Sequence, residues 1–207
     1  MPPKVKFQKE EIVLAAAEIV RERGIDALTA RELAAKLNVS TRPIFTYFDT
    51  LEELRKEVYH YAVELYRECI RKGLSEPIPA LGVGMHYIRF AKEEPQLYRY
   101  LFLSPPAGVS GGAMEALRTS QEMVRESVMT IYHMDAVTAD RFFRDLWLVA
   151  YSFTTLIVTN ACPYSDDEIS ALFTEFSLSI CKAYKEIPGL GEGKYDKDAI
   201  FRELIKK

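Results

Sequence analysis

The chain has 207 residues, of which 48% are hydrophobic and 28% charged, with a net charge of −3. This length buries a core without disulfide staples, and this composition excludes wholesale disorder and fibrous repeats. The three cysteines have no short spacing, which excludes a disulfide framework and a zinc knuckle and indicates a reducing compartment.

Apolar residues recur with a period near 3.6 along almost the whole chain, and no segment alternates with period 2, so the predicted fold class is all-α. A first helix ends at Gly24, which tolerates the left-handed conformation. A capping box over residues 29–32 starts a short second helix that runs to Leu37. The spacing then predicts a turn of about three residues and a third helix.

Residues in and after this turn are the evidence for the third helix. Asn38 tolerates positive φ in a tight turn, Ser40 is predicted to cap the helix, and Pro43 is acceptable in a first helical turn. A capping box at 50–53 then opens a long helix that Gly73 and the following prolines end. Later helices are predicted near 80–93, 95–103, 113–133, 137–161, 166–186 and 196–206.

The stretch from 29 to 48 has the residue sizes of a helix-turn-helix. Ala34 is small where the two helices would cross, and an apolar wedge is formed by Leu33, Leu37, Val39 and Ile44. Burial of this wedge directs Thr41, Arg42, Thr46 and Tyr47 outward. Such a helix fits the major groove of DNA, where Arg donates two hydrogen bonds to guanine. An ordinary helical hairpin inside a core is the alternative for the bare pattern.

Flanking residues extend the pattern: Ile12, Ala16, Gly24, Thr29, Leu33, Ala34, Val39, Ser40, Ile44, Phe45, Tyr47, Phe48 and Leu54. With them, the region from about 8 to 60 resembles the TetR family of transcriptional regulators, whose signature is an amino-terminal three-helix DNA-binding domain. The resemblance implies that Thr29 caps the second helix at the phosphate backbone, Arg31 reaches a base and Tyr47 touches phosphate. Base edges would be read by Thr41, Arg42 and Pro43. The predicted DNA-contacting residues are Thr29, Arg31, Ser40, Thr41, Arg42, Pro43, Thr46 and Tyr47, with Lys4 and Lys6 on an amino-terminal arm.

Three positions depart from the family pattern. Phe45 replaces the commoner Tyr, Leu51 stands where many members have Lys, and Gln8 takes the place of a capping Ser or Thr. The first two remove donors to phosphate, so modest DNA affinity is expected. The missing lysine also keeps open an alternative function, an all-α small-molecule-binding or interaction protein that no longer binds DNA.

The helices at 137–161 and 166–186 are apolar on more than one face, and such helices need a second partner surface. The family resemblance implies that they pair with their symmetry mates in a homodimer, which lets two heads read a palindromic operator. A large monomeric core is the alternative. The predicted interface residues are Leu146, Val149, Phe153, Leu172, Phe173, Phe176 and Ile180.

Five of the six methionines lie between residues 85 and 134, interleaved with aromatic residues. Met and aromatic side chains line adaptable apolar cavities, although core filling accounts for the same composition. The predicted ligand pocket comprises Met85, His86, Arg89, Phe90, Tyr98, Phe102, Met114, Met123, Trp147 and Tyr151.

The sequence motifs do not favour an enzyme. Residues 108–112 match G-x-S-x-G, but no strand precedes them, and the histidines lack metal-ligand spacing. We expect no cofactor, metal or membrane segment and a cytoplasmic location. The predicted organisation is a helix-turn-helix domain at 1–50, a connecting helix at 51–73, a ligand-binding and dimerisation domain at 74–187 and a tail at 188–207. The predicted function is a repressor that a small apolar or amphipathic effector releases from its operator.

Overall fold

A computed structural model of the chain describes residues 7–206, so the predicted arm residues Lys4 and Lys6 lie outside the described residues. The predicted all-α fold class is confirmed, and the described residues contain no strand. The helices are α1 (Lys9–Arg23), α2 (Ala30–Lys36), α3 (Leu51–Leu74), α4 (Pro79–Glu93), α5 (Pro95–Tyr98), α6 (Ala113–Tyr132), α7 (Ala136–Val158), α8 (Asp166–Glu186) and α9 (Lys197–Ile205).

Residues 7–50, the head, follow the local signals of the sequence. Gly24 has φ 84° directly after α1, and Asn38 has φ 54° in the turn after α2. The Thr29 hydroxyl accepts the Glu32 backbone N–H at 3.2 Å and so caps α2. At the start of α1 the Gln8 backbone N–H donates to the Glu11 carboxylate at 2.8 Å, which satisfies one amide of the first turn.

The third element of the head differs from its prediction. Only Ile44–Thr46 forms a helical turn, of the 3-10 type, and no side chain caps it, so the prediction that Ser40 caps a longer helix is wrong. Most of its backbone bonds join residues three apart, as from Tyr47 N–H to the Ile44 carbonyl at 3.2 Å. Burial of Ile44 and Phe48 in the hydrophobic core holds this turn in place.

Helix α3 joins the head to residues 74–187, the body. It spans 24 residues, about 36 Å, and packs against α1 in the head and against α4 and α6 in the body. Gly73 lies in its last turn at ordinary helical φ, where a Cβ would come within 2.4 Å of the Val83 Cα of α4. The glycine therefore permits close approach of two helices, although the sequence favoured it as a helix terminator.

The body is built around α7, which packs against α4, α6 and α8. Helix α5 continues into a π-helical turn, Arg99–Leu103. The two segments together cover the helix that the sequence predicts at 95–103. The Ser165 capping box starts α8 at Asp166, with the Ser165 backbone N–H donating to Glu168 at 2.8 Å. None of the helices between residues 7 and 206 is both long and apolar enough to cross a membrane.

Candidate nucleic-acid interface and candidate ligand site

The predicted DNA-contacting residues of the head share one property, exposure at the helix-turn-helix. All of them within the described range are exposed except Pro43, which is half-buried: Thr29, Arg31, Ser40, Thr41, Arg42, Thr46 and Tyr47. Below them, Leu33, Ala34 and Ile44 of the predicted wedge are buried, and Leu37 and Val39 are half-buried. The arrangement follows the expectation that a buried wedge directs polar side chains outward.

Two arginines on this surface differ from the other cations of the head. Lys9 pairs with Glu57 at 2.6 Å, Arg23 with Glu32 at 2.8 Å, and the remaining two are also paired with carboxylates. Within residues 7–206, Arg31 and Arg42 form no salt bridge and their guanidinium groups donate no hydrogen bond to the protein. Their positive charge is therefore available to an anion.

Two hydroxyl groups of the predicted interface are already engaged. Tyr47 Oη donates to the Phe7 carbonyl at 2.7 Å, and Thr46 Oγ1 donates to the Arg42 carbonyl at 3.2 Å. The Tyr47 bond ties the start of the described chain to the third element of the head. Sequence reasoning did not find this contact, since it joins residues forty positions apart. Leu51, in place of the family lysine, packs half-buried against the core.

The predicted ligand-pocket residues separate into three groups. Phe90, Tyr98, Phe102 and Trp147 come together in a buried aromatic cluster. Met85, Met123 and Tyr151 are half-buried, and Met114 is 69% exposed at the start of α6, too far into solvent to line a closed cavity. His86 and Arg89 line a different cavity, between α1, α3 and α4.

Two tyrosines that the prediction of the pocket omitted complete the aromatic cluster. The Tyr87 ring stacks on Trp147 with centroids 5.6 Å apart, and the Tyr66 ring meets Phe102 edge-on at 5.1 Å. Tyr66 lies on the connecting helix, outside the stretch rich in methionine, so composition gave no signal for it. Its spacing from buried Ala62, Cys69 and Ile70 on α3 was the available signal.

Hydroxyl groups inside the cluster form two short chains. Trp147 Nε1 donates to Tyr66 Oη at 3.2 Å, which lies 2.7 Å from Ser120 Oγ. Tyr98 Oη lies 3.1 Å from Tyr87 Oη and 2.7 Å from Thr154 Oγ1. Burial raises the pKa of Tyr66 and of Tyr87, so both phenols stay protonated at neutral pH and act as hydrogen-bond donors.

Side chains fill most of the space at the predicted pocket. The void against Tyr87 and Trp147 measures only about 10 Å³. A larger cavity of about 170 Å³ lies beside the cluster, under the loop that contains Ser110 and between α3 and α6. Tyr66 and Phe102 form its inner wall, and Arg67 and Glu115 are the charged groups at its rim.

The predicted interface residues also divide by burial. Leu146, Phe153 and Phe173 are buried within one chain, because α7 is covered by α4, α6 and α8, so their side chains do not reach the surface. Val149, Leu172 and Ile180 are half-buried, and Phe176 is 47% exposed. The exposed apolar residues that the prediction missed on α7 and α8 are Val137, Leu148 and Leu178.

Metal-binding chemistry finds no support in the described residues, since no three His, Cys, Asp or Glu side chains between 7 and 206 are placed to hold an ion. The polar groups that converge on a surface are instead the arginines and hydroxyls of the head. Within residues 7–206 the head thus presents unpaired guanidinium groups at its surface, and the body contains the cavity beside Tyr66.

Comparison with known proteins points to the same part of the chain. The sequence model of the family described as bacterial regulatory proteins, tetR family, matches residues 12–58. The uncharacterized HTH-type transcriptional regulator Rv0681 of Mycobacterium tuberculosis is 24% identical over 178 residues, 84% of this chain and 80% of that protein. The uncharacterized HTH-type transcriptional regulator YobS of Bacillus subtilis is 24% identical over 186 residues, 83% of this chain and 90% of that protein.

Proposed function

Since the chain is a transcriptional regulator of the tetR family, we propose that it acts in the cytoplasm as a homodimeric repressor that a small ligand releases from DNA. The observation that carries the DNA-binding part is the pair of arginines, Arg31 and Arg42. Arg31 is exposed on α2 and Arg42 is exposed in the turn before the third element, and neither has a carboxylate partner among residues 7–206. A guanidinium group reads guanine through two parallel hydrogen bonds, and this needs both donors free.

The apolar outer face of α7 and α8 supports a homodimer. Leu148 is 44% exposed and Phe176 47%, and half-buried Val149, Leu172 and Ile180 lie on the same two helices. Exposed large apolar side chains on adjoining helices favour self-association, because water is released when they are covered. A twofold assembly presents two heads to successive major grooves of a palindrome, about 34–36 Å apart.

Release from DNA requires that the body changes the position of the head. Two connections are available: the continuous helix α3, and the ion pair in which Arg21 of α1 holds Glu94 through two hydrogen bonds, one of 2.8 Å from Nε. A ligand shifts such an equilibrium only by its difference in affinity for the two positions. The cavity of about 170 Å³ beside Tyr66, on α3, is the ligand site we propose for this purpose.

The DNA-binding proposal is tested by fluorescence anisotropy with DNA from the region upstream of the protein's own gene and with random DNA of equal length. Arg42→Ala should weaken specific binding by about tenfold or more, since a bidentate contact to a base contributes roughly 1–3 kcal/mol. It should weaken binding to random DNA much less. Arg23→Ala is the matched control in the head, because its guanidinium is held by Glu32 at 2.8 Å.

Each other outcome has a defined meaning. Equal loss on both DNAs assigns Arg42 to a phosphate contact and contradicts base reading. Unchanged binding by Arg42→Ala with loss in Arg23→Ala contradicts the placement of the interface. Failure of the wild-type chain to bind any upstream DNA at low salt favours the alternative function, a helical protein that binds a small molecule without DNA.

A further inference from the structure

A second cavity, which the aromatic cluster meets only at Phe90, lies where the head meets the body. It has a volume of about 390 Å³ and is bounded by α1, α3 and α4. Its apolar wall is formed by Leu65 and Cys69 of α3 and by Phe90 of α4. A cavity of this size accepts a small organic molecule, and its wall gives such a molecule an apolar surface to cover.

The charged groups at the rim of this cavity are unequally satisfied. Arg21 holds Glu94 by two hydrogen bonds, and Glu68 accepts from Arg71 at 2.8 Å, so these carboxylates already have cationic partners. Lys72 and Arg89, in contrast, form no salt bridge with any residue in the range 7–206.

The His86 ring, which also lines the cavity, has its Nε2 3.1 Å from the Glu76 carboxylate. Glu93 is the remaining carboxylate, and it forms no salt bridge with any residue between 7 and 206. The polar rim of the cavity therefore presents two uncompensated cations and one uncompensated carboxylate.

The two cations line the same cavity as the apolar wall. Lys72 lies about one helical turn beyond Cys69 on α3, and Arg89 is on α4. Both are near enough to the Cys69 thiol to act on it electrostatically, as is Glu93, although burial dominates and raises the pKa of Cys69 to about 12. The thiol is therefore neutral and serves as part of the apolar wall.

We propose that this junction cavity binds a small carboxylate with an apolar tail. Lys72 and Arg89 hold the carboxylate from two helices, and the tail lies against Leu65, Cys69 and Phe90. A cationic ligand would face two like charges with one carboxylate to offset them, and a neutral ligand would leave both cations without a partner. The apolar wall favours an apolar tail on the ligand, and the two cations favour a carboxylate, so the ligand is amphipathic.

This ligand would touch both modules of the chain. Arg21, on α1 of the head, lines the same cavity as Arg89 and Lys72 of the helices that enter the body. The site lies apart from the cavity beside Tyr66 and shares no lining residue with it. It therefore constitutes a second small-molecule site, and its existence does not depend on DNA binding.

The test is isothermal titration of the full-length protein with sodium octanoate, kept below its micellar concentration, and with 1-octanol as the neutral analogue. Octanoate should bind at least fivefold more tightly than octanol. Lys72→Gln and Arg89→Gln should each weaken octanoate binding by about fivefold, and the double variant by about twentyfold or more, with octanol binding unchanged. Lys182→Gln, an exposed lysine on α8, is the matched control and should bind octanoate like the wild type.

Three results would overturn the proposal: no octanoate binding at millimolar concentration, equal binding of octanoate and octanol, or wild-type octanoate affinity in the double variant. The last result places octanoate elsewhere, such as the cavity beside Tyr66. Both substituted side chains are exposed, so the variants should fold, and their unfolding midpoints verify this. No DNA enters the experiment, so its outcome is separate from that of the operator-binding test.

Discussion

Removal of one phenolic oxygen from the aromatic cluster should destabilise the body, and the structure gives the size of the effect. Thr154 Oγ1 donates to the Tyr151 carbonyl at 2.9 Å, so its single proton is used there and Tyr98 Oη must donate to Thr154. Tyr87 Oη in turn donates to Tyr98 Oη. Tyr98→Phe therefore deletes two hydrogen bonds and removes the Tyr98 hydroxyl that accepts from the buried Tyr87 hydroxyl.

The expected loss in the free energy of unfolding is about 2–4 kcal/mol. One buried hydrogen bond contributes roughly 1 kcal/mol net, and a buried donor that loses its acceptor costs roughly 1–3 kcal/mol. Tyr87→Phe should cost only about 1 kcal/mol, because Tyr98 retains its bond to Thr154. The double variant should cost less than the sum of the single variants by about 1 kcal/mol, since no unpaired hydroxyl then remains.

Urea unfolding at a fixed protein concentration measures these differences, with the fluorescence of Trp147, the single tryptophan, as the signal. Trp147 stacks on Tyr87, so it reports on the same cluster. Tyr195→Phe is the control, because Tyr195 is 46% exposed and its loss should change stability by less than about 0.5 kcal/mol. Strictly additive single variants, or a Tyr98→Phe protein as stable as the control, would refute the directed chain of hydroxyls.

Three further predictions concern packing, pH and assembly. Gly73→Ala should cost about 3 kcal/mol of unfolding free energy, since its methyl group would lie 2.4 Å from a backbone atom of α4; a loss under 1 kcal/mol would mean that the helices separate freely. The carboxylate of Asp135 accepts the Thr138 backbone N–H, which lowers its pKa, so its stabilisation is present at neutral pH and is lost as the pH falls through that lowered value. Asp135→Asn should therefore show a shallower fall in stability below about pH 4, and a profile that matches the wild type would contradict this. Phe176→Asp should shift the proposed dimer toward monomer in sedimentation equilibrium, Leu204→Asp on α9 should not, and an unchanged mass for both would contradict the α7–α8 interface.

Helix boundaries were largely predictable because their signals are local. A capping box places hydroxyl and carboxylate groups within three residues of the amides they satisfy, so Ser165 and Glu168 together mark the start of α8. Asn38 likewise adopts the positive φ predicted for it. The third element of the head was predicted as a longer helix and is a single 3-10 turn, because no side chain in the described part of the chain caps it and its position depends on the burial of Ile44 and Phe48 in the core.

The candidate sites were less predictable, and the reason is the range of the interactions. Periodicity showed that Arg42 would point outward, but only the fold shows that Arg23 meets Glu32 and that Arg42 meets no carboxylate in the described part of the chain. Periodicity also placed Leu146 and Phe173 on apolar stripes of their helices, yet their burial depends on which helices cover α7. The same holds for Tyr66, which lies on α3 and meets the body only through packing.

The sequence by itself determined the helical class, most helix limits and the outward face of the helix-turn-helix, because each is specified by residues within a few turns of one another. The tertiary structure decided which apolar residues are buried, how the aromatic side chains fill the body, and how Lys72 and Arg89 come to share one cavity with Arg21. Those outcomes depend on contacts between residues far apart in the chain, and only the packing of helices brings such residues together.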